Sequence, residues 1–158
     1  MSRFPPTIHF TGLNTPVGIE WAARNLEVVG TIPKEIEGAF FRAVPDPAHP
    51  PKYDDDIVLS GDGMIAKCEI VGGAVDYAIR YVGTERYKLE KDARRALFGR
   101  YRNPYTDDPE VIGKGRTVAN TTPVWHAGRL FMTKEDGLAY EIDPKTLETL
   151  GRWDFYGS

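Results

Sequence analysis

Three histidines, one cysteine and several clustered carboxylates have the widest chemical repertoire in this 158-residue chain. His9, His49 and His126 lie far apart, with no H-x-x-x-H pair and no Cys/His cluster, so their spacing defines no metal centre. His9 and His49 flank prolines in loops, and His126 opens a turn, which predicts a hydrogen-bonded structural histidine. SGDGM (60–64) lacks the lysine of a phosphate loop, and a strand rather than a helix follows it. It reads as a strand-linking turn in which Asp62 bonds nearby backbone N–H groups. YDDD (53–56) resembles a divalent-ion loop only in its acidity and reads as a solvated acidic turn. Cys68 falls in mid-strand, where a thiol is expected to be buried and inert, and no Ser/His/Asp or Cys/His arrangement offers a nucleophile. Two residues remain, Tyr101 in a long polar loop and Lys134 at the end of the strand RLFMT. Composition alone makes them a surface tyrosine and a solvated lysine.

The elements that must position these residues are mostly short strands. Gly and Pro are plentiful, as turns between strands require. Residues 1–20, with Pro5, Pro6, Gly12 and Pro16, read as an irregular arm. LEVVGTIP (26–33) is expected to be a strand run into a turn, and GAFFRAVP (38–45) a strand before a proline-rich loop. Across 56–82 apolar residues alternate and Gly72-Gly73 sits where a two-residue hairpin turn belongs, which predicts three antiparallel strands. TERYKLEKDARRALF (84–98) is the one helix expected. Thr84 is its cap, and Leu89, Ala93, Ala96 and Leu97 share a side. A polar loop covers 99–115, after which strands resume in TVANTTPVWHA, RLFMTK, LAYEID and TLETLGRWDF. The units at 62–82 and 126–155 share a Gly-turn, strand, Gly-turn, strand rhythm. Propeller blades repeat at about 40–45 residues, so the chain supplies three blades at most, against about 4–8 in a closed propeller. Such a stack leaves sheet edges bare, and a fragment, or a subunit needing a partner, is the expectation.

Composition narrows the function. A net charge of −3 with both signs mixed provides no basic stripe for nucleic acid. No run approaches the roughly 18 apolar residues of a membrane span. Cys68 has no partner for an internal disulfide, and a reduced, cytoplasmic setting is expected.

The segments IEGAFFRAVPDPAHPPKYDDD, SGDGMIAKCEIVGGAVDY, RRALFGRYRNPYTDDPEV, GRTVANTTPVWHAGRL and KEDGLAYEIDPKTLETLGRWDFYG occur in an order that resembles the carotenoid cleavage oxygenases. Within them the chain is most similar to the lignostilbene dioxygenases. The resemblance implies a mainly β fold: the N-terminal part, up to about three blades, of a seven-bladed β-propeller, with 26–158 as incomplete blades. It implies one iron(II) held by four histidines, and cleavage of a 4-hydroxystilbene or carotenoid-like alkene by dioxygen to two aldehydes. The first iron histidine of such proteins follows the segment matching LGRWDFYG, so none of His9, His49 and His126 matches a ligand. The chain alone is expected to hold no iron site and to be inactive without the missing C-terminal part of the propeller. In stilbene-cleaving members the tyrosine of the GxYRNPxTDD loop and the lysine of KED bind the 4-hydroxyl, which assigns that catalytic and substrate-binding role to Tyr101 and Lys134. Leu59 stands where relatives often place a substrate-facing Phe, and the loss of ring-on-ring contact, about 0.5–1.5 kcal/mol, implies a different substrate preference. RAVPDP departs from the RNGPNP of the carotenoid branch, in keeping with the lignostilbene side. The competing reading is a free-standing, non-catalytic β-module that binds a small aromatic ligand or a partner protein.

Overall fold

The computed structural model describes residues 3–157. Its strands are β1 (Trp21–Ala23), β2 (Gly38–Pro45), β3 (Gly63–Val71), β4 (Ala74–Tyr81), β5 (Thr122–His126), β6 (Arg129–Thr133), β7 (Tyr140–Ile142) and β8 (Thr149–Arg152), and its one α-helix is α1 (Glu85–Ala93). They form two four-stranded antiparallel sheets, ordered β1-β4-β3-β2 and β5-β6-β7-β8. The first is organised by the β3–β4 hairpin, in register from Val71↔Ala74 to Met64↔Tyr81. Gly72 and Gly73 both take positive φ, +58° and +81°, as the tight turn matching strand twist demands.

Alternation along β3 sends Ile65 to one side and Met64 and Ala66 to the other, and both sides are covered. Ile65 joins Val82, Ala119, Leu130, Met132, Tyr140, Ile142 and Leu147 in the core between the sheets, with Phe41, Ala43 and Ala78 against it. Met64 and Ala66 pack with Ile79 and Tyr81 beneath Val44, Ala48, Tyr77 and Tyr87. Each large aliphatic side chain buried in this way contributes roughly 1.5–3 kcal/mol.

Several expectations need correction. Residues 56–82 hold two strands, not three. The Ile57–Gly61 stretch closes instead as a 3-10 turn, Val58–Ser60, because Asp56 Oδ1 accepts from the Ile57 N–H and the Ser60 hydroxyl. The 26–33 run is no strand. Only Leu26 reaches the sheet, through its N–H to the Val75 carbonyl, and Gly30 at φ +97° takes the chain away. The short edge strand β1 pairs there instead, upstream of that run. α1 begins where Thr84 predicts, its hydroxyl accepting from the Tyr87 N–H at 3.0 Å, but it stops at Ala93 rather than reaching 98. Arg94 turns left-handed at φ +55°, and Glu90 Oε1 then accepts from the N–H groups of Leu97 and Phe98 at 2.9 and 3.0 Å. This brings 94–98 back over the helix. Leu97 and Phe98 are buried with Val111 and Leu89 packs against them, but Ala93 is exposed and Ala96 and Leu97 lie beyond the helix end, so the expected apolar face is not a face of the helix alone. The buried side of α1 carries an ion pair instead, Arg86 Nε to Glu90 Oε2 at 3.2 Å. No helix among the described residues is long and apolar enough to cross a membrane.

Candidate functional site

The Val58–Ser60 turn is where the candidate residues converge. Asp56, read from sequence as part of a solvated acidic turn, is instead buried. Besides stabilising that turn, its Oδ1 accepts from the Tyr101 N–H at 3.0 Å. Tyr101 is thereby fixed against the turn although 45 residues separate it from Asp56. Neighbouring ion pairs hold the rest of its loop: Arg100 Nε to Asp55 at 2.9 Å, and Arg116 to Asp107.

Lys134 arrives from the other sheet. β6 is buried at Leu130, Phe131 and Met132, and continuing its direction carries Lys134 to the same turn. The ammonium Nζ donates to Asn120 Oδ1 at 3.0 Å and, at 3.4 Å, to the Leu59 carbonyl. It lies 5.3 Å from the centre of the Tyr101 ring. Lys134 is only 8% exposed, and no carboxylate among the described residues forms an ion pair with it. Burial pushes its pKa below the usual lysine value. Asp136 and Glu135 pull it back, and Arg102 and Arg86 oppose them. An ammonium out of water and without a counter-ion is unfavourable by itself.

Leu59, Tyr101 and Lys134 line one narrow cleft, together with Ser60, Val118, Asp136, Arg86, Arg102 and Arg116. Leu59 is half exposed at its mouth. Arg86 is already paired with Glu90, and Arg116 with Asp107, whereas Arg102 stacks over Tyr101 at 5.2 Å. The Tyr101 hydroxyl makes no hydrogen bond among the described residues. The cleft therefore combines an unpaired ammonium, a free hydroxyl and an apolar wall. Chemically it can hold an oxyanion, or a hydroxyl about to become one, on an otherwise apolar molecule.

The remaining candidates do not join it. His126 is exposed at the end of β5 with no side-chain hydrogen bond among the described residues, so it is not the bonded structural histidine expected. Cys68 is half-buried rather than enclosed, because only the first part of β3 is covered on both faces. Asp62 does bond a backbone N–H, but that of Ala48, fourteen residues away, at 3.0 Å; its Oδ1 is buried without a partner. Among the described residues no three His, Cys, Asp or Glu side chains gather as a metal site. The described residues gather no ligand set for the iron that the resemblance implies. Sequence reading missed Asp56 and Asn120, whose roles arise only when distant segments meet. The one available signal was an Asn and an Asp lying just beside strands rich in apolar residues.

Three comparisons agree on kinship. The family described as "RPE65: Retinal pigment epithelial membrane protein" matches residues 14–158. The resveratrol cleavage oxygenase 1 of Chaetomium globosum is 47% identical over 99% of this chain and 26% of its own length. The isoeugenol monooxygenase of Pseudomonas putida is 46% identical over 92% of this chain and 30% of its own length. The crystal structure of the Pseudomonas brassicacearum lignostilbene dioxygenase superposes with a TM-score of 0.96 at 40% identity, covering all of this chain and 33% of that one. The chain thus spans about a third of the length of the relatives it matches, and its two sheets correspond to part of a β-propeller. With the match running through nearly every residue, the chain belongs to the RPE65 family of carotenoid-cleavage-type oxygenases, on its lignostilbene dioxygenase side.

Proposed function

We propose that this chain supplies the phenol-recognition part of an oxygenase that cleaves the central alkene of a 4-hydroxystilbene-type substrate with dioxygen to two aldehydes. The observation that carries the reading is the buried Lys134 ammonium, without a carboxylate partner among the described residues, beside the Tyr101 hydroxyl. Resveratrol, lignostilbene and isoeugenol, named for the relatives, are all phenols with an alkene conjugated to the ring. A free phenol titrates near pH 10 and is mostly protonated at neutral pH. Lys134 favours its anion by charge, and Tyr101 donates a second hydrogen bond to the same oxygen. Charge released from that oxygen into the ring raises electron density at the alkene, the bond that is to be split. Leu59 provides apolar contact at the cleft mouth in place of an aromatic ring. In this reading iron(II) supplies the activation of dioxygen, with ligands from residues outside this chain.

The test compares 4-hydroxystilbene with 4-methoxystilbene, which has the same shape but no ionisable hydroxyl, by calorimetric titration of the chain. The hydroxy compound should bind about tenfold more tightly or better, the magnitude of one charge-assisted hydrogen bond. Lys134→Ala should abolish the preference and Tyr101→Phe should reduce it. Equal affinity for both ligands in the unaltered chain would remove the assignment.

A further inference from the structure

We infer that Asn120 is a positioning residue that anchors the Lys134 ammonium through neutral acceptors, leaving its charge without an ion-pair partner and available to the ligand. The inference rests on the cleft being a phenol site. Asn120 is 7% exposed and uses both ends of its amide. Oδ1 accepts from Lys134 Nζ at 3.0 Å, while Nδ2 donates to the carbonyls of Leu59 and Gly61 at 3.1 and 2.8 Å. Lys134 and Asn120 also share the Leu59 carbonyl, so lysine, amide and turn form one closed network. The backbone is shaped for this. Ala119, just before it, is held left-handed at φ +47°, a strained state for a residue with a side chain, and the Thr121 N–H bonds the Thr133 carbonyl at 3.0 Å. Residue 120 is thereby set beside residue 134.

An amide and a peptide carbonyl orient an ammonium without neutralising it, whereas a carboxylate at the same place would form an ion pair. The other charged or titratable groups facing Lys134 are Arg86 from α1, Tyr101 and Arg102 from the loop after it, Arg116, and Glu135 and Asp136 from the turn after β6. None of the acidic ones is an ion-pair partner, so Asn120 decides whether the charge is available.

The experiment is an NMR titration of Lys134 in the 158-residue chain labelled with 13C-lysine, for the unaltered protein, Asn120→Asp and Asn120→Ala. A parallel binding titration uses 4-nitrophenol in mildly alkaline buffer, where this acidic phenol is almost wholly ionised. Asn120→Asp should raise the Lys134 pKa, and Asn120→Ala should lower it further by removing a bond to the charged form. Both should weaken 4-nitrophenolate binding, each about tenfold. If Asn120 merely braces the fold, both variants free the lysine into water and its pKa rises in both; that result, or no change in either, overturns the inference. Should the Asp variant fail to fold, the direction of the shift in Asn120→Ala decides alone. Lys134→Ala that leaves 4-nitrophenol affinity unchanged would instead sink the phenol site itself, since the titration of Lys134 needs no ligand.

Discussion

Asp62 shows what burial does to one residue. Its carboxylate is 4% exposed, bonded once and orphaned at Oδ1, and burial raises its pKa from 3.8 to about 6 despite the opposing charge of Arg86. The folded state therefore holds this proton more firmly than the unfolded chain does. Its contribution to stability is full below about pH 4 and falls as pH rises through about 6, amounting to about 3 kcal/mol over that window. Asp62→Asn cannot ionise, so chemical denaturation at pH 4 and pH 7 should show this loss in the parent and little of it in the variant. Parallel slopes in the two proteins would refute the assignment. Lys134 has the same difficulty with the opposite charge: its folded pKa is depressed, so the ammonium is disfavoured in the fold until an anion faces it. Neither state is visible in a string of residue types, since both follow from which segments cover the side chain. Asp56 in YDDD and Lys134 in KED read as solvated for that reason, and both are buried.

Among elements, the turn between Val58 and β3 holds the cleft together. Gly63 is there because the chain crosses it closely: a Cβ at that position would stand 2.3 Å from the Ala119 carbonyl oxygen and 2.5 Å from that of Val118. These are backbone atoms, and the Gly63 N–H also bonds the Val118 carbonyl at 2.9 Å. Gly63→Ala should destabilise the chain by about 1–3 kcal/mol, read as a lowered denaturation midpoint. It should also displace Asn120, weakening phenol binding more than the stability loss alone explains. A variant with parental stability would contradict this packing. Local signals were legible where chemistry is local: Gly72-Gly73 between alternating strands fixed the β3–β4 hairpin, and Thr84 marked the start of α1. The end of α1 was not legible, because DARRALF is good helix sequence and only the reach of Glu90 to Leu97 and Phe98 stops it. Three-residue β1 carries too short a pattern to be read, and the 26–33 run has strand-forming residues but no neighbour to pair with.

At the scale of the whole molecule, two four-stranded sheets pack across one apolar core, and the cleft draws Leu59 from the turn before one sheet, Tyr101 from the loop between them and Lys134 from the end of a strand in the other. The strand-and-turn rhythm was enough to expect blades. That these three residues meet came from the family resemblance, since separations of 42 and 33 residues carry no pattern of their own. The central claim is that the cleft stabilises a phenolate, and the absorption spectrum of bound 4-hydroxystilbene measures this directly, because ionisation shifts the chromophore to longer wavelength. Ligand bound to the unaltered chain should ionise at a clearly lower pH than free ligand, whose phenol titrates near 10, and Lys134→Ala should return it to the free value. Bound ligand that titrates where free ligand does would show that the cleft stabilises no phenolate.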